Sequence, residues 1–245
     1  MKASKLRTLW IMVYSALLTA QICGLAIIRR SFSKINRIWV DKTSLRWAKR
    51  ILRLIGVKYE VYNPYGVEPI AGEATIIMCN HSSLYDIPLS LLAFPNHSVR
   101  MLAKKELSKI PIMGKGMKAA EYPFIDRKNR QQAITDLNYV RELLESGILM
   151  WIAPEGTRSK DGKVGPFKRG AFITAIQTRA KIIPFGIRGA HTILPANTFQ
   201  FNLNQTAEIH IGKAIDASEY TLENKEELIN RVHTAIKHLV EGENH

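Results

Sequence analysis

Residues 74–88 run Ala-Thr-Ile-Ile-Met-Cys-Asn-His-Ser-Ser-Leu-Tyr-Asp-Ile-Pro. The first seven form a short apolar run, rich in isoleucine, with the length and composition of a strand, and the polar stretch after them leads toward a helix. The same strand signature returns at 58–62, 99–103, 121–125, 148–153, 182–188 and 206–211. Helical spacing lies between these runs. Ala133, Leu137, Val140 and Leu144 share one face of 129–145, and Ile229, Val232, Ile236 and Leu239 share one face of 222–240. Strands alternating with helices predict an α/β fold with a mixed, largely parallel sheet flanked by helices. A chain of 245 residues and 27.7 kDa accommodates one large domain, or one domain with a small appendage.

Loops just past strand ends are where α/β sheets place their sites. Beyond the strand at 74–80 stands His81, a side chain able to accept a proton from a hydroxyl near neutral pH. Asp86, five residues on, falls in the first turn of the following helix, where its carboxylate can turn back and orient the imidazole. Ser83-x-x-Asp86 also has the spacing of a capping box. The run at 121–125 leads into Asp126-Arg127, whose guanidinium fork suits a phosphate; by itself Arg127 equally fits a helix-start charge cluster with Asp126 as N-cap. The run at 148–153 leads into Pro154-Glu155-Gly156-Thr157-Arg158-Ser159. There Gly156 allows close backbone approach to a ligand, Thr157 offers a hydroxyl, and Arg158 a second fork. Glu155 and Arg158 also fit a simple loop ion pair. Lys168 and Arg169 open the next helix, whose N-terminal dipole favours an anion. Pro184 interrupts the apolar run at 182–188, which argues for an edge, a bulge or a strand start, and is a candidate lining residue for an acyl slot.

The N-terminal quarter differs in kind. Residues 8–28 carry no charge and, as a helix, extend roughly 31 Å, about one hydrocarbon thickness. Spanning a bilayer, dipping into one leaflet, a cleaved signal peptide and a buried core helix all fit that run. Residues 29–58 hold ten Lys or Arg, including Lys34, against the single acid Asp41, a net +9 of the chain's formal +14. Apolar residues recur there at helical spacing (Ile35, Ile38, Trp39, Leu45, Ala48, Leu52 and Ile55), with a basic opposite face. This fits a helix in an anionic interface with Trp39 and Trp47 as anchors, or a surface helix packed on its own domain. The heavier basic flank follows the apolar run, which predicts a globular part on the cytoplasmic face. The division expected is membrane-associated helices at 1–55 (apolar at 8–28, basic and amphipathic at 29–55) and an α/β domain at 56–245.

The charge balance implies an anionic partner, and an uncharged run directly ahead of the basic one favours anionic membrane lipids over nucleic acid. Two cysteines, Cys23 and Cys79, exclude a disulfide scaffold and favour a reducing compartment. No His, Cys and acid cluster has metal-ligand spacing, so neither metal nor cofactor is expected. A base with its orienter beside several phosphate-binding groups, on a membrane-seeking chain, points to group transfer onto a phospholipid-like hydroxyl. Thioester hydrolysis is the poorer reading, since water needs no phosphate clamp. A tethering module leaves the His81–Asp86 pair without a role.

His81-x4-Asp86, Phe124-Ile125-Asp126-Arg127, Pro154-Glu155-Gly156-Thr157-Arg158-Ser159 and Ile183-Pro184 resemble, in order and spacing, the four motifs of the glycerophospholipid acyltransferases, and most of all the bacterial-type 1-acylglycerol-3-phosphate acyltransferases. The likeness covers about residues 56–215, with Ala153 where a Phe is usual and Glu121-Tyr122-Pro123 in place of a Gly-containing lead-in. The resemblance implies an enzyme of phospholipid biosynthesis anchored by N-terminal helices at a membrane, the bacterial inner membrane among them. It implies transfer of an acyl chain from acyl-coenzyme A or acyl carrier protein to lysophosphatidic acid, giving phosphatidic acid, or to another lysolipid acceptor. In it His81 and Asp86 are catalytic, Arg127 and Arg158 bind the acceptor phosphate with help from Lys168, Thr157 belongs to the same subsite, and Glu155 and Gly156 position the glycerol.

Overall fold

The computed structural model describes residues 1–33 and 36–242, so Lys34 and Ile35 of the basic stretch lie outside the described residues. Among the described residues the elements run α1 Lys5–Phe32, α2 Arg37–Leu54, β1 Lys58–Tyr62, β2 Thr75–Cys79, α3 Asp86–Ala93, β3 Val99–Met101, β4 Ala103–Lys104, α4 Met113–Ala119 and β5 Phe124–Ile125. They continue with α5 Arg130–Glu145, β6 Leu149–Ile152, α6 Gly170–Gln177, β7 Lys181–Arg188, α7 Ala190–Ile193, β8 Thr206–Ile211, β9 Ile215–Asp216 and α8 Lys225–Glu241.

The main sheet has the order β1-β8-β7-β2-β6-β3, with β9 also paired to β7. β1–β8, β2–β6, β2–β7 and β3–β6 are parallel, whereas β7 meets β8 and β9 antiparallel. The sheet is therefore mixed and largely parallel, as the alternation of strands and helices predicts. β4 and β5 form a separate two-stranded pair, which takes residues 121–125 out of the main sheet.

The period-two alternation of strand side chains splits the core in two. Ile77, Cys79, Val99, Met101, Leu149, Trp151, Ile183 and Phe185 face a cluster completed by α1, α2 and α3. Ile76, Met78, Met150, Ile152 and Ile182 face the other cluster, completed by α5, α6 and α8. β2 is buried along its whole length and sits between β6 and β7, so its end emerges at the centre of the sheet.

Pro184 lies in the central strand β7, not at an edge. The sheet tolerates it because the partner on one side of β7 changes there. β9 pairs as far as Ile182, β8 pairs from Phe185, and at the break the Pro184 carbonyl accepts from Gly212 N at 2.9 Å. The N–H that proline lacks points to that same break, so no ladder bond is lost.

α1 is long and apolar enough to cross a membrane by length and composition, yet contacts along its length hold it against the domain. Ala3 N donates to Phe201 O at 2.9 Å and Arg7 Nη2 to Leu54 O at 2.8 Å. Trp47 donates its indole N–H to Thr19 Oγ1 at 3.1 Å, so this tryptophan is spent on helix packing and is no membrane anchor. Farther along, Gly116 of α4 lies so near Cys23 that an added Cβ would stand 2.4 Å from the cysteine Cβ. Ile11 and Leu18 of α1 and Ala48, Ile51 and Leu52 of α2 join the same cluster as the strands, so α1 and α2 are also a layer of the domain core. The other flank of α1 leaves Leu6, Leu9, Trp10, Val13, Leu17, Leu25, Ile28 and Phe32 exposed. Trp39 is half-buried beneath the Arg29 guanidinium, and Asp41, the lone acid of the basic stretch, pairs with fully buried Arg100 at 2.7 Å.

Candidate active site

The site is built on the loop that follows β2. Asn80 fixes that loop to β7: its Nδ2 donates to Ile187 O at 3.0 Å and its Oδ1 accepts from Ile187 N at 2.8 Å. The turn then brings three donors to one oxygen of Asp86, the first residue of α3. Asp86 Oδ2 accepts from His81 Nδ1 at 2.8 Å, Ser82 N at 2.7 Å and Ser83 N at 2.8 Å, and the residue is completely buried. Capping and orienting are thus one arrangement. The carboxylate satisfies backbone N–H groups ahead of α3 while it holds the imidazole. Ser83 Oγ, the other half of the expected box, accepts from Tyr85 N at 3.2 Å and donates to Leu194 O at 2.9 Å, which anchors the loop to α7's end.

With Nδ1 engaged by the carboxylate, the second ring nitrogen, Nε2, is the one left to meet a substrate. The ring is mostly enclosed, with its side chain 18% exposed. Trp151 of β6 packs edge-to-face against it, with centroids 5.8 Å apart and planes at 82°. The strand register puts Trp151 opposite Ile77, one strand over, which carries the indole beside the start of the His81 loop.

Glu155 does not make the loop ion pair that its neighbourhood suggests. It is buried, its Oε1 accepts from His81 N at 2.9 Å, and its Oε2 accepts from Gly165 N at 3.0 Å. Burial raises its pKa, and the two backbone donors pull against that rise. Ser159 N in turn donates to His81 O at 2.7 Å. The Glu155–Ser159 loop therefore grips the backbone of His81 at both its N–H and its C=O. Both Glu155 oxygens are thus engaged by main-chain N–H groups, and one of them holds the histidine backbone in place.

Arg127 arrives from the loop after β5 and donates from Nη1 to the Gly156 carbonyl. Its neighbour Asp126 is not the helix N-cap; Asn129 is, accepting from Gln132 N at 3.0 Å. Asp126 instead closes an Asx turn on Lys128 N and Asn129 N and pairs with Lys105 at 3.0 Å, which shapes the turn presenting Arg127. Gly156 adopts φ 71°, in the left-handed region, and Lys168 lies over it, with Nζ 3.2 Å from where a Cβ would stand. Arg158 is half-buried and free of any ion pair among the described residues, and Thr157 is exposed. Arg127 and Lys168 thus meet at Gly156, and the loop that carries Gly156 and Arg158 also grips His81.

Pro184 is the exception. It pairs with Met78, three residues before His81, so it lies roughly 10 Å below the catalytic loop along the sheet. Alternation turns it to the α8 side, near Gly212, while Ile183 and Phe185 face the cluster that contains Trp151. Trp151 and Asn80 escape sequence reasoning because each acts across the sheet: Trp151 of β6 packs on the loop after β2, and Asn80 ties that loop to β7. The one available signal is position, since both sit in or at the end of a strand that runs into a motif.

The family model described as Acyltransferase matches residues 58–188, the interval that holds His81, Asp86, Arg127, the Glu155–Ser159 loop and Lys168. A 1-acyl-sn-glycerol-3-phosphate acyltransferase of Cocos nucifera is 36% identical over 141 residues, which cover 56% of this chain and 46% of the relative, so the chain spans about half that protein's length. A 1-acyl-sn-glycerol-3-phosphate acyltransferase of Haemophilus influenzae is 31% identical over 190 residues, covering 77% of this chain and 76% of the relative. The crystal structure of the 1-acyl-sn-glycerophosphate acyltransferase PlsC from Thermotoga maritima superposes with a TM-score of 0.80 at 27% identity, covering 96% of this chain and 94% of that one. A family match over residues 58–188, which carry the His–Asp pair at the end of β2 and the Glu-Gly-Thr-Arg loop that clamps it, means that the chain belongs to the Acyltransferase family.

Proposed function

We propose that this chain transfers a fatty acyl group from a thioester donor, acyl-coenzyme A or acyl carrier protein, to the free sn-2 hydroxyl of 1-acylglycerol-3-phosphate, giving phosphatidic acid. The carrying observation is the His81–Asp86 pair, its second ring nitrogen without a partner among the described residues, beside the loop that carries Gly156 and Arg158 and on which Arg127 and Lys168 meet. His81 Nε2 takes the hydroxyl proton as the oxygen attacks the thioester carbonyl, and Asp86 stabilises the imidazolium that results. The tetrahedral adduct collapses, the C–S bond breaks, and the thiolate leaves with the proton returned from His81. The products are one ester and one free thiol, so the step needs no other reactant. Arg127, Arg158 and Lys168 hold the acceptor phosphate, and Gly156 and Thr157 border the glycerol. The exposed apolar flank of α1 seats the domain on the membrane, with the catalytic part on the cytoplasmic face.

The test incubates the purified chain with labelled acyl-coenzyme A or acyl carrier protein, with and without lysophosphatidic acid. Phosphatidic acid that forms only when the acceptor is present is the expected result. Free fatty acid alone overturns transfer in favour of hydrolysis. A product made only from another lysophospholipid moves the assignment to that acceptor.

Arg127→Ala is expected to raise KM for lysophosphatidic acid by about 10- to 150-fold with a smaller change in kcat. That range corresponds to one lost hydrogen bond to a charged group, about 1.5–3 kcal/mol. Steady-state kinetics over a range of acceptor concentrations gives the split, and an unchanged KM removes Arg127 from the phosphate subsite.

A further inference from the structure

Away from the catalytic loop, an open cavity of about 320 Å³ lies between the C-terminal end of α1 and α4. Its walls are two helix faces, each with i, i+3, i+4 spacing: Ile27, Arg30 and Ser31 from α1, and Lys115, Lys118 and Ala119 from α4. No acid lines it. Among the described residues, Arg30, Lys115 and Lys118 are exposed and make no ion pair. Glu121, a carboxylate that feels the Arg30 charge, is taken by Arg37 at 2.7 Å, and this bond is the main reason its pKa is lowered, with Arg30 adding a smaller pull. Two helix C-termini end nearby and carry partial charges of roughly −0.5 each. Three full positive charges against these leave the cavity strongly cationic.

Its surroundings say where an occupant comes from. On α1, Ile28 and Phe32 stand about 100° around the helix from Ile27 and Ser31 and are exposed. They continue the apolar flank that includes Leu17 and Leu25. On the other wall, Ile110 and Ile112, just ahead of α4, are exposed as well. A cationic cavity rimmed on both sides by exposed apolar side chains fits a group that is anionic at its head and apolar behind it.

We propose that this cavity between α1 and α4 binds the phosphate headgroup of an anionic glycerophospholipid of the host membrane. The lipid's acyl chains run beside Ile28 and Phe32, and the domain is held at a fixed depth and rotation by this second contact. Arg30, Lys115 and Lys118 are the ligands. This site is separate from the acceptor subsite and does not rest on the acyl-transfer reading.

The experiment is vesicle binding by the full chain. Arg30→Gln/Lys115→Gln/Lys118→Gln is compared with a charge-matched control, Lys42→Gln/Lys49→Gln/Arg50→Gln, on the exposed side of α2. All six residues are exposed, so both variants keep the fold, and thermal melts verify this. On vesicles containing phosphatidic acid the cavity variant is expected to bind at least about tenfold more weakly than the unaltered chain, and the control to lose clearly less. On pure phosphatidylcholine vesicles all three bind alike, and inorganic phosphate at millimolar concentration does not displace the unaltered chain. Equal losses in both variants overturn the proposal in favour of general surface charge. No loss in the cavity variant overturns it outright. Displacement by inorganic phosphate overturns the lipid as occupant in favour of a free anion.

Discussion

His81→Ala is expected to lower kcat for acyl transfer by about 10²–10⁴-fold while the protein stays folded. The magnitude is that of one general base removed from the reacting hydroxyl; substrate positioning by the remaining groups is untouched. The fold should persist because among the described residues the imidazole makes a single polar contact, to Asp86, whose oxygen keeps the Ser82 and Ser83 amide donors after the change. The backbone of residue 81 remains gripped through its N–H by Glu155 and through its C=O by Ser159. Purified variant and unaltered chain are compared for phosphatidic acid formation and for melting temperature. Activity within a few-fold of the unaltered chain removes His81 as the base.

Asp86→Asn is expected to lower kcat by a comparable factor, up to about 10⁴, again with a small effect on stability. An asparagine can place its carbonyl oxygen where Oδ2 stands and still accept from Ser82 N and Ser83 N. The loop is then preserved, but no negative charge faces the imidazolium that forms as the hydroxyl loses its proton. Asp86→Ala behaves differently. It leaves the two amide donors buried without an acceptor, at about 1–3 kcal/mol each, and it should lower both activity and melting temperature. The separation of the two variants is the informative outcome. If Asn keeps full turnover, the charge of Asp86 has no catalytic part and the residue serves the turn alone.

Both expectations bear on how the site was recognisable in sequence. His81 and Asp86 lie within one turn of chain, so spacing alone implies that they meet, and they do at 2.8 Å. The convergence of Arg127 on Gly156 and of Ser159 on His81 follows from neither residue's own surroundings. It follows from the sheet order, which sets β6 beside β2, and from the turn at Asp126 that redirects Arg127 toward the sheet. Glu155 shows the limit most clearly. In sequence it is an acid three residues from an arginine; in the folded chain it binds a main-chain N–H 74 residues away. Pro184 shows a different limit. A proline argues for an edge strand when all that is known is that it lacks an N–H, but which side of the strand needs that N–H depends on where β8 and β9 pair.

The sequence by itself determined the α/β alternation, seven of the strand segments and the pairing of His81 with Asp86, along with the apolar and basic character of the first 55 residues. Each of these depends on periodicity or on contacts within a few residues, which linear order encodes directly. The tertiary structure alone decided that α1 and α2 share the core with the sheet, that Trp47 packs inward, that Glu155 serves the histidine backbone, and that Pro184 faces away from the catalytic side. Those outcomes depend on which strands become neighbours and which face each side chain turns to them. Both are fixed by the packing of the whole sheet between its two helical layers, not by any local stretch of chain.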